Sequence, residues 1–127
     1  MTRKSKPLPS IIDAADYAAL VRSRWTEAEF QRHILALAKE NGWLIHHARP
    51  ARTNKGWRTA IQGDVGFPDL ILARSGRVIA AELKVGKRRP TSEQNAWLNA
   101  FSAAGIPAYI WEPIVWREIE ETLASKH

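Results

Sequence analysis

Two short apolar runs, Leu70 to Ala73 and Val78 to Leu83, flank Arg74-Ser75-Gly76-Arg77, and no other feature of the chain restricts its fold as tightly. Runs of this length on either side of a Ser-Gly turn predict a β-hairpin. With Ser75 and Gly76 at the tip, Arg74 faces Arg77, Ala73 faces Val78, and Asp69 faces Glu82. Side chains directly opposite in an antiparallel pair have Cβ atoms about 4.5–5.5 Å apart, and like charges there repel unless something neutralises them. Alternation along the second strand puts Glu82 and Lys84 on one face and Leu83 on the other.

Asp69, Glu82 and Lys84 therefore converge. A hard divalent cation, Mg²⁺ or Mn²⁺, would neutralise the carboxylate pair, since such ions take oxygen ligands, keep several waters and lower the pKa of one of them. The lysine would position or deprotonate that water and offset charge developing on a phosphate. The arrangement suits phosphodiester hydrolysis. The plainer alternative makes Asp69 a turn residue after Pro68 and Glu82 with Lys84 an ordinary pair at the sheet end. Against it, charges at the end of the apolar stretch Ala80-Ala81 are costly to bury without a partner.

The rest of the chain builds a frame around this hairpin. Ile11 to Arg24 predicts a short helix, with Ile12, Ala15, Ala19 and Leu20 near helical spacing. Thr26 and Glu29 form a capping box for a second helix, whose apolar positions Phe30, Ile34, Leu37 and Ala38 recur until Asn41-Gly42. Trp43 to His47 has strand-like bulk, and Ala48 to Gly66 reads as a long polar connection. Thr91 or Ser92 caps a helix carrying Gln94, Trp97, Leu98 and Phe101, with Gly105 at its C-terminal end. Pro107 to Trp111 reads as a strand, and Pro113 opens a last helix with Ile114, Ile119 and Leu123 on its apolar side. That order predicts an α/β fold, a mixed β-sheet of about four strands flanked by helices. A chain of 127 residues accommodates a flexible basic arm over residues 1–10 and a single domain over 11–127.

Charge points to a polyanionic partner. Nineteen Lys and Arg against 13 Asp and Glu give a net charge of +6, and the excess is local. Arg49, Arg52, Lys55 and Arg58 share one segment without an acid, and Lys84, Lys87, Arg88 and Arg89 form a second. Such segments attract nucleic-acid phosphates in a salt-sensitive way, although a solvated basic surface has the same composition. Trp57 within the first segment is either a core anchor or an aromatic placed to meet a base. His46 and His47 are adjacent and face opposite sides of a strand, so they cannot join one site. No cysteine is present, which removes thiolate zinc sites, cysteine nucleophiles and disulfides and suits the cytosol. The longest uncharged stretch, Gln94 to Trp111, contains Asn95, Asn99, Ser102, Gly105 and Pro107 and is not expected to enter a membrane.

Gly66-Phe67-Pro68-Asp69-Leu70, then Ala81-Glu82-Leu83-Lys84, then Ser92-Glu93-Gln94 with Trp97-Leu98, resemble the VRR-NUC family of the PD-(D/E)XK nuclease superfamily in its stand-alone phage-type form. The resemblance runs from Thr26 to about Glu121. It implies a restriction-endonuclease-like core and a metal-dependent DNA endonuclease acting on structured or branched, junction-like DNA in a bacterial or phage-infected cell. It also implies that Asp69, Glu82 and a helical carboxylate hold the metal, with Leu83 among its contacts, that Lys84 acts on the water, and that Gln94 supports the site or contacts phosphate. Glu29 is accounted for as the capping partner of Thr26, whereas Glu27 lies four residues before Gln31, as in the family, so Glu27 is the preferred third ligand. Gln94 has a second explanation as the capping partner of Thr91. Symmetric cutting of two strands would call for a homodimer. The alternatives are a nucleic-acid-binding module with the nuclease fold and no turnover, and a basic protein that binds a partner chain through its long loop.

Overall fold

A computed structural model describes residues 12–48, 51–53, 56–58 and 62–126; the basic arm expected over residues 1–10 lies outside them. The hairpin forms in the expected register. Strand β4 (Leu70–Arg74) pairs antiparallel with β5 (Arg77–Leu83), matching Leu70 with Ala81, Leu72 with Ile79 and Arg74 with Arg77. Its tip uses positive φ at both Ser75 (48°) and Gly76 (79°), the geometry whose twist matches that of the flanking strands. Strand β1 (Leu44–His47) adds antiparallel to β4, and β6 (Ala108–Trp111) adds parallel to β5, giving a mixed sheet in the order β1-β4-β5-β6. The parallel pairing requires a crossover, which helix α3 (Ser92–Ala103) supplies.

Helix α1 (Ala14–Ser23) starts at the cap Asp13, and α2 (Glu27–Glu40) starts at Thr26 with both arms of its capping box formed. One sheet face, carrying Leu70, Leu72, Ile79, Ala81 and Leu83, packs against Phe30, Ile34 and Ala38 of α2 and against Ile119 and Leu123 of α4 (Trp116–Ala124). Each such side chain, once buried, contributes roughly 1.5–3 kcal/mol. His33, a lone residue on α2, stacks on Trp25 at 4.2 Å. α3 packs on β5 and β6 from the opposite face, because its Gln94 meets Glu82, which alternates with Leu83.

Two expectations need correction. The stretch read as an unstructured polar connection contains a two-stranded hairpin, β2 (Ala51–Thr53) and β3 (Gly56–Arg58). Ile114 is not on the apolar side of the last helix: it sits in a 3₁₀ turn (Pro113–Val115) ahead of α4 and is 89% exposed.

Arg74 and Arg77, opposite one another at the hairpin tip, avoid repulsion by facing helix ends. Arg74 donates to the carbonyls of Asn41 and Leu123, each at 2.9 Å, and of Ser125, and Arg77 donates to Ser125 at 2.8 Å. These carbonyls lie at the C-termini of α2 and α4, where the helix dipole favours cations. Both guanidiniums also lie over the Trp43 ring, whose indole N–H donates to Leu123 at 2.8 Å. Among the described residues, no helix is long and apolar enough to cross a membrane.

Candidate active site

Asp69 and Glu82 stand where the hairpin register places them. Pro68 is buried just before β4, and beyond the last paired residues of the ladder the Asp69 side chain meets β5: its Oδ2 accepts the Leu83 N–H at 2.8 Å. Glu82 is 1% exposed, the one buried charged residue among those described. Its Oε1 accepts from Gln94 Nε2 at 3.0 Å and lies 3.6 Å from Lys84 Nζ. Its Oε2 is buried without any hydrogen-bond donor. Desolvation, and then the Asp69 carboxylate, push the Glu82 carboxyl up to about 8 against the pull of Lys84. With both carboxylates ionised Oε2 has no donor; a proton held between Asp69 and Glu82 supplies one.

Gln94 makes two sets of contacts at once. As the third residue of α3, its Oε1 accepts the Thr91 N–H at 2.9 Å while the Thr91 hydroxyl accepts the Gln94 N–H at 3.1 Å, and its Nε2 is left to donate to Glu82. This network assigns the amide orientation. The loop before Asp69 is fastened to the same helix. A Cβ on Gly66, whose φ is +94°, would stand 2.6 Å from the Glu93 carbonyl carbon and 2.8 Å from the Gln94 nitrogen, so only glycine permits this approach. Trp97 donates to the Val65 carbonyl at 3.1 Å, and Phe67 meets the Trp97 ring edge-on at 5.0 Å. An open pocket of about 370 Å³ beside this fastening, lined by Asp64, Val65, Glu93, Ala96, Trp97 and Ala100, contains none of the site carboxylates.

The expected helical ligand is not gathered to this pair. Glu27, the first residue of α2 and the preferred third ligand, has a side chain that is 52% exposed and binds Arg88 Nη1 at 3.1 Å. At a helix start it has not entered the buried stripe that begins at Phe30. Glu29 is in the capping box, and the Thr26 N–H holds its carboxyl below the usual range. Among the described residues no three His, Cys, Asp or Glu side chains form a group that could hold a metal.

The expected phosphate contacts divide similarly. Arg88 binds Glu27 and Arg89 binds Glu112 at 3.2 Å, both on the surface, and Lys87 is exposed. Arg49 and Lys55 lie outside the described residues. Arg52 lies on β2, and Trp57 and Arg58 lie on β3. His47 turns to the α2 face, where its Nε2 pairs with Gln31 Nε2; His46, half a pleat away, takes the face of Asp69 and Glu82. Nothing in the local pattern distinguished these histidines; the β1–β4 register does.

The donor chemistry suits a hard divalent cation: two adjacent carboxylates, one with a buried oxygen that lacks a donor. Leu83 has its side chain in the core and its N–H on Asp69, so only its main-chain carbonyl could reach an ion. In comparisons with known proteins, no family model matches the chain and no curated protein matches it.

Proposed function

We propose that this chain is a Mg²⁺- or Mn²⁺-dependent DNA endonuclease of the VRR-NUC type, with a restriction-endonuclease-like core and structured, junction-like DNA as its substrate. The supporting observation is the buried Glu82 carboxylate beside Asp69, with one oxygen that has no donor. Asp69 and Glu82 would hold the cation, which when bound supplies positive charge against the scissile phosphate and an acidified water. Gln94 fixes the Glu82 carboxyl through Oε1 and leaves Oε2 for the ion. Lys84, 13% exposed and 3.6 Å from Glu82 Oε1, is the group able to hold or move a proton at the attacking water. Symmetric cutting of both strands calls for a homodimer.

The second reading, a nucleic-acid-binding module without turnover, is favoured by the Arg88 guanidinium on Glu27, which leaves the acidic centre with two carboxylates. A cleavage panel of single-stranded, duplex, flap, nicked and four-way DNA, with and without Mg²⁺, separates the two. Mg²⁺-dependent cutting that Glu82→Gln abolishes supports the nuclease. Salt-sensitive binding without cutting supports the module, and neither binding nor cutting overturns both.

A further inference from the structure

The sheet face that carries Asp69 and Glu82 is only partly covered. α3 packs on β5 and β6. Among the described residues, the exposed part of this face lies on β1 and at the start of β5, with Leu44 76% exposed, His46 exposed and Val78 39% exposed, while Ile71 and Ala73 of β4 are half-buried. The register arranges this face in rows: Leu44, Ala73 and Val78; then His46, Ile71 and Ala80; then, continuing both ladders, Asp69, Glu82 and Ile110. His46 is thus the diagonal neighbour of Asp69, a separation of about 7–8 Å that long or aromatic side chains span. On the described strands of this face the other ionisable groups are Asp69 and Glu82, with Lys84 just beyond β5. The chain leaves β1 towards the row of Asp69 and runs directly into the acid-free basic segment from Arg49 to Arg58.

The geometry points to His46 as a substrate-contact residue, donating to a phosphate of a nucleic-acid strand that crosses this face of the sheet from the carboxylate pair towards β1. The assignment rests on the nuclease reading for the identity of the polyanion and adds to it the path of the strand. The guanidiniums of Arg88 and Arg89, by contrast, already hold Glu27 and Glu112. A protonated imidazole on a phosphate oxygen makes a charge-assisted hydrogen bond and releases a counterion.

Adjacent residues of one type on opposite faces provide their own control. The full chain, in metal-free buffer at about pH 6, is titrated with a fluorescein-labelled four-way DNA junction. His46→Ala weakens binding about tenfold and lowers the slope of log K against log salt by about 0.9, with Tm unchanged; His46→Lys restores both. His47→Ala, which loses Gln31, lowers Tm and leaves binding by the folded protein unchanged. Equal binding by His46→Ala and the wild type, a loss confined to His47→Ala, or no binding by the wild type overturns the assignment. His46-dependent binding with no Mg²⁺-dependent cleavage removes the nuclease reading and keeps the path; cleavage with binding indifferent to His46 does the reverse.

Discussion

The side-chain amide of Gln94 spans two structures, donating through Nε2 to Glu82 at 3.0 Å and accepting through Oε1 from the Thr91 N–H at 2.9 Å. Helix capping and carboxylate positioning therefore share one residue. Gln94→Glu keeps the cap, since glutamate serves equally in a capping box, but places a second carboxylate against Glu82. It is expected to cut at least tenfold more slowly with a small change in Tm. Gln94→Ala loses both contacts and is expected to be destabilised as well, by about 1 kcal/mol or more. Thermal melts and cleavage rates on the two variants check this.

With a pKa of about 8, Glu82 holds a proton at neutral pH in the metal-free protein, and Asp69→Asn and Glu82→Gln each replace one carboxyl of the pair by a neutral amide. Asparagine still offers the Leu83 N–H an acceptor, and glutamine gives the buried Oε2 position a donor towards Asp69. Cleavage is expected to vanish while metal-free Tm at neutral pH holds or rises. A large drop in Tm would show that the pair stabilises the fold.

Stability of the metal-free protein should depend on pH through Glu82. Its folded pKa of about 8 lies above the ordinary 4.5, so the native state binds more protons between those values. The contribution is complete below about pH 4.5 and is lost as pH rises through about 8. Tm measured in chelator is expected to fall across that window, and Glu82→Gln is expected to flatten the fall. Mn²⁺ should raise Tm most at the alkaline end, where no proton competes with it.

Gly66 and Gly76 both have positive φ, but a Cβ at Gly76 meets nothing within 4 Å, whereas one at Gly66 meets the backbone of α3. Gly76→Ala should cost only the backbone strain, about 1 kcal/mol. Gly66→Ala should cost at least twice that and reduce cleavage, because Asp69 lies three residues along the displaced loop. Denaturant melts of the two variants give the comparison directly.

Glu27→Ala removes an exposed ion pair with Arg88, a contact worth about 0–1 kcal/mol. Glu29→Ala breaks a capping box and should lower Tm more. If Glu27→Ala also abolishes cleavage at unchanged Tm, Glu27 exchanges Arg88 for the ion in the working enzyme; cleavage at the wild-type rate excludes it as a ligand.

What was legible in the sequence was local. The two capping boxes are spaced by three residues each, and the Asp69–Glu82 juxtaposition follows from counting outward from one turn. The β2–β3 hairpin was hidden because Ala51-Arg52-Thr53 and Gly56-Trp57-Arg58 have neither the length nor the alternation that marks a strand. The pairing of Glu27 with Arg88 spans 61 positions, and the contacts of Arg74 with Leu123 and Ser125 span 49 and 51. No spacing rule reaches that far. Gln94 had two sequence explanations that looked like competitors, yet its amide both caps α3 at Thr91 and reaches Glu82, because its donor and acceptor ends are separate.

The Ser75-Gly76 turn acts as a ruler for the placement of two carboxylates at the far end of its strands. Five residue pairs, roughly 17 Å at about 3.3 Å each, separate it from Asp69 and Glu82. Inserting or deleting a single residue there would leave every core side chain in the sequence, yet shift the pairing by one and send one strand's residues to the wrong face. A surface turn is ordinarily where a protein tolerates changes of length; in this chain it is where length is counted.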